Sequence, residues 1–252
     1  MRRGAPTMYN IVPCGKCEAC LKRYVAAWSA RLSLCARAAN FSFFVTLTYA
    51  DEHLPKNAEV SKPDVQKFFK RIRKHFAVYE DFDLKYVLIS EYGPSEDGTH
   101  RPHYHALLFS NYCVDYPRFW SFGLVTCDEV LPERIHYVAM WHINKGFFVP
   151  PGKCENFRLS SKGLGYDAFV EYELENAQLN DWQFIIDGES PAPIHKYYKD
   201  KFRTCVPPFQ LPEFYSDSPP LTRQQVIDYN SNIRIRTENF IEKMKKKKSK
   251  FN

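Results

Sequence analysis

The sequence predicts an α+β fold in which helices flank a central antiparallel sheet. Segments 41–49, 84–92 and 103–109 are rich in aromatic and β-branched residues, as strands are. Segments 15–40 and 61–76 instead repeat apolar residues at helical spacing. The linker 93–102 is rich in turn formers, so the second and third strands are expected to form an antiparallel hairpin with a long loop.

The first predicted helix has an apolar stripe and a cysteine-rich start. Its stripe has steps of three and four residues and comprises Leu21, Val25, Trp28, Leu32, Cys35 and Ala39. At its start Cys14, Cys17 and Cys20 form a Cys-x₂-Cys-x₂-Cys run. Three close thiols suit a structural Zn²⁺ ion if a fourth ligand, such as Cys35 or Cys154, reaches them. Three reduced thiols without a metal explain the run equally well, and both interpretations stay open.

The second predicted helix is basic on its exposed side. Ser61 followed by Pro63 and Asp64 is typical of a helix start, and apolar residues then recur up to Phe76. The remaining faces carry Lys67, Lys70, Arg71, Arg73 and Lys74. A solvated charged face and a nucleic-acid contact are both compatible with this pattern.

The third predicted strand carries a pair of histidines. Because side chains alternate along a strand, His103 and His105 lie on one face and Tyr104 points into the core. The hairpin would bring the carboxylate of Glu91 beside both imidazoles. Two nitrogens and one carboxylate leave coordination positions open, and this mixed ligand set suits Mn²⁺ or Mg²⁺. A His-x-His pattern alone is common in proteins without a metal, so the prediction depends on Glu91.

The second half of the chain is less regular. Segment 133–145 is expected to form a short helix that stops at Gly146, and 146–220 to form loops and short elements. A C-terminal helix is predicted over about 222–244, followed by a basic tail, Lys245–Lys248. The tail is either a solvated end or, as we favour, a phosphate contact. We therefore expect one domain over 1–220 and an appended helix and tail over 221–252.

The composition adds weaker indications. A formal net charge of +6 favours polyanionic partners. The chain has no apolar run long enough to span a bilayer and no signal peptide after Met1, which predicts a protein of the cytoplasm with no membrane partner. Its eight cysteines are then expected to be reduced.

Several motifs in order resemble those of the HUH endonucleases, which are named for a His-hydrophobe-His pair. They are Val45–Tyr49, Glu91–Gly93, His103–His105 and Tyr137–Ala139. Further segments resemble the replication initiators of gokushoviruses, small single-stranded DNA phages of the Microviridae: Cys14–Cys20, Thr46–Pro55, Arg101–His105 and Arg158–Gly165. The similarity covers roughly residues 10 to 170.

The resemblance implies a rolling-circle replication initiator. Such an enzyme nicks single-stranded DNA at the phage origin, stays joined to the 5′ end through a tyrosine, and leaves a 3′-OH for the host polymerase. By this resemblance Tyr137 is the nucleophile, Lys145 adds positive charge, and Glu91, His103 and His105 hold Mg²⁺ or Mn²⁺. The host DNA polymerase and helicase are the implied partners in the bacterial cytoplasm, and the oligomeric state stays undetermined.

The chain departs from the family at one place. Related initiators often carry Tyr-Val-Ala-Lys-Tyr, with two tyrosines on one helix face, whereas Met140 and Trp141 fill the last two places here. A single tyrosine would complete the cycle with the help of a second copy of the protein. Two alternatives remain: a non-catalytic single-stranded DNA-binding protein, whose aromatic residues stack on bases, and a related HUH transposase or relaxase.

Overall fold

The computed structural model describes residues 14–93, 99–141, 149–174, 183–184, 192–202 and 223–248. Within these ranges five strands form one antiparallel sheet, in the order β4-β1-β3-β2-β5. The strands are β1 (Phe41–Thr48), β2 (Leu84–Tyr92), β3 (Pro102–Ser110), β4 (Val125–Glu129) and β5 (Arg158–Ser160). A separate two-stranded ribbon joins β6 (Gln183–Phe184) and β7 (Ala192–Pro193). The predicted hairpin of β2 and β3 is confirmed.

Helices cover both faces of the sheet, so the predicted α+β class is confirmed. They are α1 (Glu18–Ala38), α2 (Lys62–His75), α3 (Pro132–Met140), α4 (Tyr166–Tyr172), α5 (Lys196–Lys201) and α6 (Arg223–Lys248). The predicted start of α2 is also confirmed, because the Ser61 side chain accepts a hydrogen bond from the Asp64 backbone N–H. Among the described helices, none is long and apolar enough to cross a membrane.

One face of the sheet packs against α2. Val65, Phe68, Phe69 and Ile72 of this helix are almost fully buried there. Tyr104, the residue between the two histidines, is 0% exposed on this face, as the alternation of the strand predicts. Its hydroxyl group lies 2.9 Å from that of Tyr49. Burial of this large side chain fixes the register that turns both histidines to the opposite face.

The opposite face packs against α1, α3 and part of α6. Its core contains Trp28 and Leu32 from α1, Ile135 and Val138 from α3, and Phe240 from α6. The helix α6 lies against the start of α1, where Thr237 Oγ1 accepts a hydrogen bond of 2.9 Å from the Glu18 backbone N–H. The apolar layer ends before the histidines, and the polar site therefore lies beside it on the same face.

Two predicted helix ends differ from the structure. The C-terminal helix runs to Lys248 without a break, so Lys245–Lys248 form its last turn and the prediction of a separate tail is wrong. Lysine is a good helix former, which explains the extension. Helix α3 is assigned up to Met140, and its expected end at 145 lies outside the described residues.

Candidate metal and nucleophile site

The hairpin brings together the three residues predicted to bind a metal. Glu91 of β2 lies directly opposite His103 of β3, and directly opposite residues of an antiparallel pair share a face. His105 follows two residues later on that face. One ligand atom from each of the three side chains lies within 4.8 Å of the other two. The predicted juxtaposition of these residues is thus observed.

Hydrogen bonds orient both imidazole rings. His103 Nδ1 lies 3.2 Å from the carbonyl oxygen of Arg101. Because a carbonyl only accepts, His103 Nδ1 must carry the hydrogen, and the lone pair then lies on Nε2. His105 Nδ1 lies 3.0 Å from Thr46 Oγ1, a partner supplied by the neighbouring strand β1. Partners of this kind fix the orientation of metal-binding histidines in proteins.

Aromatic rings hold His105 from two sides. Its ring stacks on Phe44, with centroids 5.3 Å apart and planes inclined by 14°. Tyr137 stands perpendicular to it at 5.5 Å, and the His103 ring lies 5.0 Å away in an edge arrangement. These contacts restrict rotation of the imidazole, so that little ordering remains to be done when a ligand binds.

Tyr137 reaches the same cluster from α3. Ile135, Val138 and Ala139 bury one side of this short helix on the sheet and hold it over the site. The Tyr137 hydroxyl group donates a hydrogen bond of 2.6 Å to Glu91 Oε2. Burial raises the pKa of Tyr137 far above its usual value, and the negative charge and hydrogen bond of Glu91 raise this pKa further. The phenol is therefore neutral until something changes around it.

The ligand chemistry of the cluster fits a divalent cation. Glu91 is a 1% exposed carboxylate, and His103 Nε2 lies 3.9 Å from its Oε2. A carboxylate accepts about four hydrogen bonds or metal contacts through its two oxygens, so contact with Tyr137 does not use its whole capacity. Two imidazoles and one carboxylate suit Mn²⁺ and similar ions, and fewer than six protein ligands leave positions for other groups.

The sequence reasoning did not assign a role to Arg158. This residue lies opposite Ile89, which in turn lies opposite His105, so all three share the helix-covered face. Its guanidinium carbon is 4.5 Å from the Trp28 ring centroid and 5.4 Å from that of Trp141. No carboxylate pairs with Arg158 within the described ranges. The only sequence signal was its place at the start of the gokushovirus-like segment Arg158–Gly165.

Lys145 and the cysteine run have different outcomes. Lys145 lies outside the described residues. The sulfur atoms of Cys14, Cys17 and Cys20 lie within 4.8 Å of one another, with Cys14 and Cys20 4.0 Å apart. Tetrahedral coordination with Zn–S bonds of about 2.3 Å places sulfurs about 3.8 Å apart, so this spacing fits zinc. Backbone N–H groups of Lys16 and Cys17 lower the pKa of Cys14 to about 7.

Neither cysteine suggested as a fourth zinc ligand reaches the cluster. Cys35 lies 18 residues beyond Cys17 along α1, which corresponds to about 27 Å of helix. It is buried, and burial raises its pKa to about 12. Cys154 Sγ lies 3.3 Å from the Tyr92 hydroxyl oxygen and also contacts Val60. The suggestion of Cys35 or Cys154 was wrong, because spacing along the chain gave no information on these distances.

Known proteins share the motifs of this site. Residues 42–146, which include Glu91, His103, His105 and Tyr137, match the family of the replication-associated protein ORF2. The chain is 32% identical over 189 residues to the replication-associated protein ORF2 of Spiroplasma virus 4, an alignment that covers 64% of this chain and 57% of that protein. The predicted resemblance to replication proteins of Microviridae-type phages is confirmed.

Two further relatives give the same result. The chain is 25% identical over 224 residues to the replication-associated protein ORF4 of Chlamydia phage 1, covering 77% of this chain and 54% of that protein. It is 25% identical over 223 residues to the replication-associated protein VP4 of Bdellovibrio phage phiMH2K, covering 77% and 68%. The chain therefore spans between about half and two thirds of the length of these relatives. No solved structure matches it significantly.

Proposed function

We propose that this chain initiates rolling-circle replication of a phage genome by nicking single-stranded DNA, because residues 42–146 match a family of replication-associated proteins. The observation that carries the proposal is the hydrogen bond of 2.6 Å between the Tyr137 hydroxyl group and Glu91. It joins a nucleophile to a carboxylate that belongs to the cluster with His103 and His105. A protein that only binds DNA has no need of this arrangement.

The proposed reaction is a transesterification. The Tyr137 oxygen attacks the phosphorus at the origin, a bond between this oxygen and phosphorus forms, and the bond from phosphorus to the 3′ oxygen breaks. The phenol loses its proton, for which Glu91 Oε2 is the acceptor in place, and the leaving 3′ oxygen gains one. The 5′ phosphate stays on Tyr137. The reverse reaction with a later 3′-OH rejoins the strand into a circle.

The other residues of the site prepare the phosphate for attack. When bound to Glu91, His103 and His105, Mg²⁺ or Mn²⁺ supplies a Lewis acid that polarises the scissile phosphate. Thr46 and the Arg101 carbonyl orient the two imidazoles. Arg158 would place a fixed positive charge on the same sheet face, where it lowers the energy of the negative charge that develops on the phosphate.

The wider organisation follows from the same proposal. Residues 1–220 would form the nicking domain, and 221–252 an appended basic helix. The host polymerase would extend the 3′-OH while a host helicase opens the duplex ahead of it. The single-stranded phage origin is the substrate, and a transposase or relaxase would differ in its DNA target and not in the chemistry of Tyr137.

For the cysteine cluster we propose a structural Zn²⁺ ion. The support is the spacing of 4.0 Å between the Cys14 and Cys20 sulfurs beside the contact of α1 with α6. Three sulfurs leave one position for a ligand from elsewhere. Metal analysis of the purified chain is expected to find one zinc per molecule, and a Cys17→Ser variant is expected to lose it. Zinc at equal amounts in both proteins would contradict this assignment.

The nicking proposal is tested with labelled single-stranded origin DNA. The wild type with Mn²⁺ is expected to give an adduct that survives denaturant, and EDTA or Tyr137→Phe is expected to abolish it. Tyr166→Phe is a matched control, because Tyr166 lies on α4 away from the cluster. Origin DNA that is bound but never cleaved would favour a non-catalytic binding protein. An adduct with Tyr137→Phe would assign the reaction to another tyrosine.

A further inference from the structure

A basic groove lies at the far end of the sheet from the candidate site. It has a volume of about 410 Å³ and is bounded by Arg73 of α2, by residues 82–86 around the start of β2, and by residues 160–162 at the end of β5. From Leu84 to Glu91 the strand β2 extends over about 23 Å. The groove is therefore separate from the cluster of Glu91 and the histidines.

The charges of the groove are predominantly positive. Its lining holds the cations Arg73, Lys85 and Lys162 and the single carboxylate Asp83. Asp83 lies 3.0 Å from Lys85, which leaves two cations without a carboxylate partner within the described ranges. The exposed basic residues of α2 continue this surface away from the groove: Lys67, Lys70, Arg71 and Lys74. Positive charge concentrated in a concave surface attracts polyanions.

The groove also offers neutral hydrogen-bond donors. Ser161 Oγ accepts a hydrogen bond of 2.9 Å from the Tyr86 backbone N–H, so the Ser161 hydroxyl hydrogen can be donated elsewhere. Ser160 lies beside it in the lining. Hydroxyl groups next to lysine and arginine are the donors that proteins commonly use for phosphate oxygens.

The aromatic rings of the groove are not available for stacking on bases. Tyr86 stacks on Phe69 at 3.7 Å, and the Arg73 guanidinium carbon lies 5.7 Å from the Tyr86 centroid. Phe82 stacks on Phe76 at 4.5 Å. Proteins that bind single strands without sequence preference place bases on exposed rings, and this groove presents cations and hydroxyls instead. Its chemistry therefore fits a sugar-phosphate backbone whose bases are already stacked.

We propose that this groove binds the phosphate backbone of a duplex segment of DNA, separately from the strand that enters the site at Tyr137. The choice of DNA as the polyanion rests on the proposed function. A distance of about 23 Å corresponds to about seven base pairs of B-form DNA. The groove would thus hold duplex DNA about seven base pairs from the cut position and anchor the protein beside it.

The test compares two triple variants of the full chain. Arg73→Gln, Lys85→Gln and Lys162→Gln together remove the groove cations. The control, Arg23→Gln, Arg236→Gln and Lys243→Gln, removes the same charge from the exposed sides of α1 and α6. Binding to a labelled duplex of about 20 base pairs is followed by fluorescence anisotropy between about 50 and 200 mM NaCl. Adduct formation on a short single-stranded origin oligonucleotide is measured in parallel.

The groove variant is expected to bind duplex at least about tenfold more weakly, with a salt slope lower by about 2 to 3, because up to three phosphate contacts are lost. The control should bind like the wild type, and all three proteins should form the single-strand adduct equally. Equal losses in both variants, unchanged duplex binding in the groove variant, or an equal loss of single-strand binding would overturn the proposal. Absence of the adduct in all three would instead contradict the nicking reaction.

Discussion

Replacement of Thr46 by valine tests how the site orients His105. Valine has nearly the shape of threonine and is equally β-branched, so the strand β1 should keep its conformation. The change removes the hydroxyl group that lies 3.0 Å from His105 Nδ1. The imidazole then loses the partner that sets its tautomer and its ring orientation, while the stack on Phe44 remains.

The expected magnitude follows from the loss of this one contact. Removal of the partner that orients a metal-binding histidine usually weakens metal binding by about 10- to 100-fold. This range corresponds to about 1.4 to 2.8 kcal/mol. A hydrogen bond of a partly buried group contributes about 1 kcal/mol by itself, so the lower half of the range is expected here.

The assay is titration of the metal-stripped protein with Mn²⁺, followed by calorimetry. Thr126→Val is the matched control, because Thr126 lies directly opposite Thr46 on β4, on the same sheet face, and is exposed. We expect weaker binding for Thr46→Val and unchanged binding for Thr126→Val. Equal affinities for wild type and Thr46→Val, with both proteins folded, would refute the claim that Thr46 positions His105 for a metal.

Three other changes have defined outcomes. Arg158→Lys is expected to slow adduct formation on the order of 10²-fold while Mn²⁺ affinity stays unchanged, since a lysine lacks the planar group held between two indoles; a loss of Mn²⁺ affinity would contradict this. In EDTA-treated protein, Cys14 should react with iodoacetamide with a midpoint near its pKa of about 7, as peptide mapping over a pH series would show; a midpoint near about 8.5 would be an ordinary thiol. Phe240→Ala should lower the free energy of unfolding by about 3 kcal/mol in denaturant titrations, because the ring is 7% exposed against α1, and a loss below about 1 kcal/mol would speak against this packing.

Much of the sheet and of the metal cluster could be predicted from the sequence. The aromatic and β-branched runs gave three strands, and the two-residue period put His103 and His105 on one face. The antiparallel hairpin was enough to place Glu91 beside them, because the end of one strand meets the start of the next. Burial of Tyr104 on the other face then fixed the choice of side.

The contacts of Thr46 and Arg158 could not be predicted, because they depend on the order of strands. Thr46 reaches His105 only since β1 pairs with β3. Arg158 shares the face of the site because a strand of three residues pairs with β2, and so short a strand has no detectable period. The same limit explains the error at Cys35 and Cys154, whose distance from the other cysteines depends on packing.

The most direct test of the account identifies the residue that becomes joined to DNA. After reaction with origin DNA and Mn²⁺, the protein is digested with protease and nuclease, and the modified peptide is sequenced by mass spectrometry. The account predicts a single nucleotide-bearing peptide with the modification on the Tyr137 oxygen. A nucleotide on any other residue, or cleaved DNA with no modified peptide, would contradict the proposed mechanism.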